Sequence, residues 1–164
     1  LMVGVTDKTF APDVSTTRAM IVTILYRLSG SPAADDSSSF KDVPKGSWYS
    51  KAVAWASKNG IVSGYGGGKV GPNDRITREQ MAAMMYRYAQ FIGMDTSDRA
   101  DISSMPDAGS ISGWAKEAMA WTYARGMIVG IPQSDHVTII EPKGNATRAQ
   151  VAAIIYRFCE NVSG

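Results

Sequence analysis

Three arginines stand in one recurring setting. Thr17-Arg18, Thr77-Arg78 and Thr147-Arg148 each follow a proline by five residues (Pro12, Pro72, Pro142) and precede a Tyr-Arg pair, the tyrosine lying nine residues after the threonine. A threonine there can cap a helix by accepting a hydrogen bond from a first-turn N–H. An arginine just inside the cap sits at the positive end of the helix macrodipole, a mismatch of about 0.3–1 kcal/mol at an exposed position. It occurs three times at the same place. Free N–H groups at a helix start suit an anion, and an adjacent guanidinium adds a planar fork that matches a carboxylate, so the setting has the chemistry of a carboxylate receptor. The plainer alternative is local pairing of Arg18, Arg78 and Arg148 with Asp13, Asp74 or Glu79, and Glu141, which would be nearly neutral in energy. The residues alone leave both open.

Other residue types recur around these arginines. Gly4, Gly64 and Gly130 stand 8, 8 and 12 residues before the prolines. They most simply permit positive φ, and close approach of backbone to a ligand is the sharper reading. Trp48 and Trp114 open a helical segment and can present a ring face to a sugar, although a core place is the default for them as for Trp55 and Trp121. Thr17, Thr77 and Thr147 are explained by capping, with ligand contact secondary. Arg27, Arg87 and Arg157 lie toward helix C-termini, where a cation is favoured, and read as structural. Asp42 and Asp107 read as loop caps.

The elements that position these residues follow from a repeat of 60 and then 70 residues. Trp48, Ala52, Trp55 and Ala56 fall at i, i+4, i+7 and i+8, one helix face that Gly60 would end; Trp114, Ala118, Trp121 and Gly126 repeat it. A turn-rich loop, Gly64 to Gly68, leads to Pro72 and a second helix from Thr77. Gln80 and Gln150 complete capping boxes that Met20 cannot. Apolar stripes follow: Met20, Ile21, Ile24, Leu25, Leu28; Met81, Met84, Met85, Tyr88; Val151, Ile154, Ile155, Phe158. The third copy carries a four-residue insertion at 133–136. The first has no opening helix, since Leu1 aligns with Ile61, so Ile21, Ile24 and Leu25 are expected to be partly uncovered and to invite self-association. The reading is all-α: repeat 1 (second half) at 1–29, repeat 2 at 40–92, repeat 3 at 102–160, with linkers at 30–39 and 93–101. Three-fold closure is preferred over a solenoid because it leaves no uncapped end.

Composition narrows the function. The chain has 164 residues, with 17 basic against 15 acidic side chains, and its scattered net charge of +2 does not mark a nucleic-acid surface. No apolar run approaches the ~20 residues of a membrane span, and the start at Leu1 has no signal-peptide pattern, so the chain reads as a fragment or mature piece. Cys159 is the single cysteine and His136 the single histidine. Neither has the spacing of a metal site or a catalytic pair, and Gly66-Gly67-Gly68 lacks the Lys-Ser/Thr of a phosphate loop. No enzyme, metal or cofactor is expected.

Phe40-Lys41-Asp42-Val43, Trp48, Ala52-Val53, Ala56, Asn59-Gly60-Ile61-Val62, Gly64-Tyr65, Pro72 and Ile76-Thr77-Arg78-Glu79 together closely resemble the S-layer homology repeat of bacterial surface proteins. The third repeat matches through Met105-Pro106-Asp107, Trp114, Gly126, Gly130 and Ala146-Thr147-Arg148. The resemblance implies a pseudo-three-fold module around a central three-helix bundle. Such a module is secreted and anchors its host non-covalently to a secondary cell-wall polysaccharide at the cell wall or S-layer surface. It implies that the Thr-Arg segments, with the neighbouring glycines and tryptophans, grip a pyruvylated sugar in grooves between repeats. Met20, Gln80 and Gln150 stand where the family usually has Glu, and the missing opening helix removes one groove wall. The rival reading is a protein-interaction or self-assembly module.

Overall fold

A computed structural model describes residues 11–163. Each Thr-Arg pair opens a helix: α1 (Arg18–Leu28), α3 (Arg78–Phe91) and α5 (Arg148–Ser163). The hydroxyl of Thr17 accepts from Met20 N, that of Thr77 from Gln80 N and that of Thr147 from Gln150 N, at 3.2–3.3 Å. Gln80 and Gln150 accept in return from the N–H of their own threonine, closing two capping boxes. The Trp-bearing helices are α2 (Ser50–Lys58) and α4 (Lys116–Ala124). Gly60 and Gly126 follow them at φ +70° and +63°, the left-handed turn that ends a helix and that glycine adopts without a Cβ clash.

The molecule is predominantly helical, but the third copy adds a small antiparallel hairpin of β1 (Ile131–Pro132) and β2 (Thr138–Ile139), with Ile131 opposite Ile139. Its turn holds the four extra residues, and the second copy makes the same reversal with a single Gly66–Lys69 bridge. Upstream of α4 lie two 3-10 turns, Ala108–Ser110 and Gly113–Ala115.

The helix starts interlock through the backbone. Thr16 N donates to Ala146 O, Ala146 N to Ile76 O, and Ile76 N back to Thr16 O, at 2.8–3.0 Å, closing a ring. Outside it, Arg18 N and Ala19 N donate to Asp74 O and Pro72 O. Arg78 N and Glu79 N donate to Gly144 O and Pro142 O, and Arg148 N and Ala149 N to Val14 O and Pro12 O. The loop of each repeat thus satisfies the orphan donors of another repeat's helix. The residue before each proline has positive φ: Ala11 +50°, Gly71 +63°, Glu141 +52°.

Helix packing runs between repeats. α2 lies against α1 and α4 against α3, so the opening helix of one repeat covers the second helix of the repeat before it. The apolar stripes form the core, and Trp55 and Trp121 fill it. Tyr26 meets Trp55 and Tyr86 meets Trp121, each at 5.5 Å between ring centroids. The expected exposure on α1 is therefore absent: Ile21 and Leu25 are 0% exposed and Ile24 4%. Trp48 and Trp114 are no part of the core. They precede the first residues of α2 and α4 and stand 62% and 56% exposed. Nor is the second linker loose, since Ala100 N bonds Ala120 O on α4, and Arg99–Glu117 and Arg125–Asp98 ion pairs close at 2.7 Å.

Asp42 and Asp107 cap the loops that feed the second helices, as expected. Asp42 accepts from Val70 N and Gly71 N at 2.8–3.1 Å, and Asp107 from Ile140 N and Glu141 N. Burial alone would raise the Asp42 pKa, but the backbone donors outweigh it and hold the carboxyl below its usual value. A depressed folded value contributes stability that is present above the unfolded pKa, near 3.9, and is lost as pH falls through the folded value. Asp42→Asn should therefore flatten part of the acid limb below about pH 4 in pH-dependent denaturation, whereas an unchanged limb would contradict the capping role.

Candidate functional site

The chemistry that the three settings share is internal before it is external. Arg18, Arg78 and Arg148 are 5%, 3% and 7% exposed. Arg18 donates from Nε to Val70 O at 2.9 Å and from Nη2 to Ser63 O at 3.2 Å. Arg78 does the same to Ile140 O at 2.9 Å and Val129 O at 2.8 Å. Each guanidinium stitches its helix start to both ends of the next repeat's loop, which a rigid fork of donors can do and an ammonium cannot. Arg148 is also partnered.

For Arg18 and Arg78 the local ion pairs are not formed, and backbone carbonyls take their place. Arg18 and Arg78 form no ion pair with Asp13, Asp74 or Glu79. Glu79 instead accepts from Ser112 N and Oγ at 2.9 Å and pairs with Lys143. The helix-start amides are not open to an anion either, because neighbouring loops and the threonine caps occupy the first three of each helix. Thr17, Thr77 and Thr147 act as caps.

A cleft nevertheless lies in front of Arg18. It has a volume of about 400 Å³ and is lined by Arg18, Ser63, Gly64, Tyr65, Gln80, Ala83, Met84, Arg87 and Trp114. Three parts of the chain build it: the start of α1, the 63–65 loop with the α3 flank, and the turn ahead of α4. The Arg18 guanidinium sits 4.6 Å from the Tyr65 ring centroid. Burial lowers its pKa, Tyr65 and Asp74 partly offset this, and the like charge of Arg87 adds to the lowering; an arginine still stays protonated at neutral pH. Two of its five N–H donors are held by the loop carbonyls. Arg87 bonds only weakly to Ser63 Oγ, at 3.3 Å, and has no carboxylate partner among the described residues. Two guanidinium groups, an exposed indole and the apolar flank of Ala83 and Met84 suit an anionic ligand with an apolar face.

Of the expected residues, Arg18, Gly64 and Trp114 are brought together here. Trp48 lines another groove, of about 440 Å³, with Thr23, Tyr26 and Arg27 on α1; Asp36 also lines it, and no helix-start arginine does. Arg78, Arg148 and Gly130 stand apart from the first cleft, and Gly4 lies outside the described residues. Gly64 and Gly130 do not adopt positive φ; they are places of close approach within the chain. A Cβ on Gly64 would lie 2.5 Å from Lys69 O and 2.7 Å from the Phe40 ring, and one on Gly130 would lie 2.1 Å from the Thr138 methyl. Gly64→Ala should cost about 1–3 kcal/mol in denaturant unfolding, since backbone must shift to admit the methyl group; a cost near zero would contradict this packing.

Arg87 was read from sequence as a cation favoured by a helix C-terminus, but α3 continues to Phe91 and α5 runs six residues past Arg157, so only Arg27 is in a last turn. Helical geometry carried the missed signal. Nine residues at ~100° each place Arg87 on the opposite side of α3 from Arg78, so the two arginines of one helix face different grooves.

Repeated helices whose loops cap one another define the class of the molecule as a small helical repeat module. The S-layer homology domain profile matches residues 39–82 and 104–152, and the chain belongs to that family. It is 36% identical over 157 residues to an amylopullulanase of Thermoanaerobacterium thermosulfurigenes, covering 96% of this chain and 8% of that protein. It is 30% identical over 159 residues to the surface-layer 125 kDa protein of Lysinibacillus sphaericus (97% of this chain, 13% of that one). A cellulosome-anchoring protein of Acetivibrio thermocellus is 27% identical over 156 residues (92% and 33%). The chain thus spans a third or less of each of these relatives.

Proposed function

We propose that this chain is a non-catalytic module that anchors a protein to the bacterial cell wall by holding an acidic secondary cell-wall polysaccharide in grooves between repeats. The observation that carries the reading is the cleft in which Arg18 and Arg87 converge beside the exposed Trp114. In this reading Arg18 is the fixed cation, tethered on one edge by loop carbonyls. Arg87 is the adjustable one, and Trp114 stacks on a sugar face. Gly64 brings the loop backbone to the rim.

Family membership and the relatives named for surface layers and anchoring support a place outside the cell, at the wall or S-layer. The small share of the amylopullulanase that the chain covers suits an appended binding unit more than a hydrolase. The closed ring of backbone bonds through Thr16, Ile76 and Ala146 supports a pseudo-three-fold arrangement of three repeats, 1–29, 40–92 and 102–160, around α1, α3 and α5. The test is co-sedimentation with purified Gram-positive wall before and after its secondary polysaccharide is stripped. Retention only by intact wall is expected, and equal retention by stripped wall would overturn the reading.

A further inference from the structure

Trp114 forms one wall of the cleft, and no other ring among the described residues meets its indole. Trp48 is held differently: the next residue, Tyr49, is buried and meets it edge-on at 5.1 Å between ring centroids. After Trp114 that place is taken by Ala115. An indole without a partner ring has to be ordered when a ligand arrives, which costs affinity unless its backbone is already fixed.

The backbone ahead of Trp114 is fixed by a buried charge. Glu79 is 3% exposed, and a carboxylate is tolerated there only when its oxygens are bonded. Its Oε2 accepts from Ser112 N and its Oε1 from Ser112 Oγ, both at 2.9 Å, and Lys143 Nζ bonds both Glu79 Oε1 and Ser112 Oγ. Hydrogen bonds to an ionised acceptor are short and strong. Ser112 in turn accepts at its carbonyl from Ala115 N at 2.9 Å, and Ala115 is fully buried. Trp114 thus stands between two pinned residues.

All three partners are particular to this place. Two residues past the capping threonine, α1 has Ala19 where α3 has Glu79. Two residues before the tryptophan, Gly46 stands where Ser112 does, and directly after the loop proline Asn73 stands where Lys143 does. The tryptophan with a tyrosine beside it lacks the whole arrangement, and the tryptophan without one has it. Glu79 itself lines no part of the cleft. We infer that Glu79 is a positioning residue for ligand binding, which through Ser112 holds Trp114 in the pose that receives a sugar face. The inference rests on the assignment of the cleft to an acidic polysaccharide.

The test is a double-mutant cycle, with calorimetric titration of purified secondary wall polysaccharide fragments well below the melting point of every variant. Glu79→Ala should weaken binding about 3- to 10-fold, the scale of ordering one side chain, and should have no effect in a Trp114→Ala background. In the free chain, nitrogen relaxation of the Trp114 indole should show a loss of order in Glu79→Ala, while Trp55 and Trp121 keep theirs. Ser112→Gly reproduces the Gly46 pattern without emptying the buried helix start. It should give a smaller loss of the same kind, and it decides the matter if Glu79→Ala folds poorly. Unchanged affinity in both variants, or an equal loss with and without Trp114, would overturn the positioning role and leave polysaccharide binding standing. No binding by the unsubstituted chain would instead overturn the polysaccharide reading, and this inference with it.

Discussion

Arg78→Met should lower the unfolding free energy by about 3 kcal/mol, and with it Tm by roughly 6–12 °C for a chain of this size. The substitution keeps an apolar stem in the 3%-exposed site but removes the donors that hold Ile140 O and Val129 O. A hydrogen bond from a charged donor contributes about 1.5–3 kcal/mol, and carbonyls left without partners add desolvation cost. Arg78→Lys should recover only part of the loss, because an ammonium cannot bridge two carbonyls from one plane. Differential scanning calorimetry on the three proteins checks this. A melting point unchanged in Arg78→Met would mean that the side chain is a free ligand-facing cation, as an exposed arginine at a helix start suggests from sequence, and that the stitch carries no energy.

The second large effect concerns binding and separates the two cations of the cleft. Arg87→Ala should weaken affinity for acidic wall polysaccharide about 10- to 100-fold, the equivalent of one charge-assisted bond, while leaving Tm within about 2 °C. Its own bond to Ser63 Oγ is long and exposed, so little fold stability depends on it. Trp114→Ala should behave alike, since the indole stands 56% exposed and outside the core. Arg18→Met differs from both by losing stability as well as binding, for its bonds to Val70 O and Ser63 O are structural. Isothermal titration with thermal melts on the same samples resolves the pattern. Full affinity in the Arg87→Ala, Trp114→Ala double variant would remove the cleft from the account.

Much of this was legible in the residues. Thr-x-x-Gln wrote the capping boxes, the 60- and 70-residue offsets located α3 and α5, and Gly60 and Gly126 marked two helix ends. Asp42 and Asp107 were recognisable as caps because they recur ahead of a helix with no ligand-like spacing. What sequence could not carry is which helix lies on which. A repeat suggests that its two helices pair with each other, whereas here the loop hydrogen bonds fix each opening helix onto the preceding repeat's second helix. That one exchange moves the uncovered surface from Ile21, Ile24 and Leu25 to Ala149 and Tyr156. It also explains Trp48 and Trp114, whose apolar bulk argued for core although they fall just before their helices. The structural bonds of Arg18 and Arg78 were out of reach for a related reason. A cation at a helix start looks electrostatically misplaced until its carbonyl partners, 45 to 62 residues away, are brought to it.

The central claim is that an acidic sugar sits in the cleft shared by Arg18, Arg87 and Trp114. The most direct measurement is an amide and indole NMR titration of the labelled chain with fragments of purified secondary wall polysaccharide. The account predicts saturable shifts at Ser63, Gly64, Tyr65 and the Trp114 indole, lost when the sugar's acidic groups are removed. Saturable binding that leaves those four signals unmoved would contradict it.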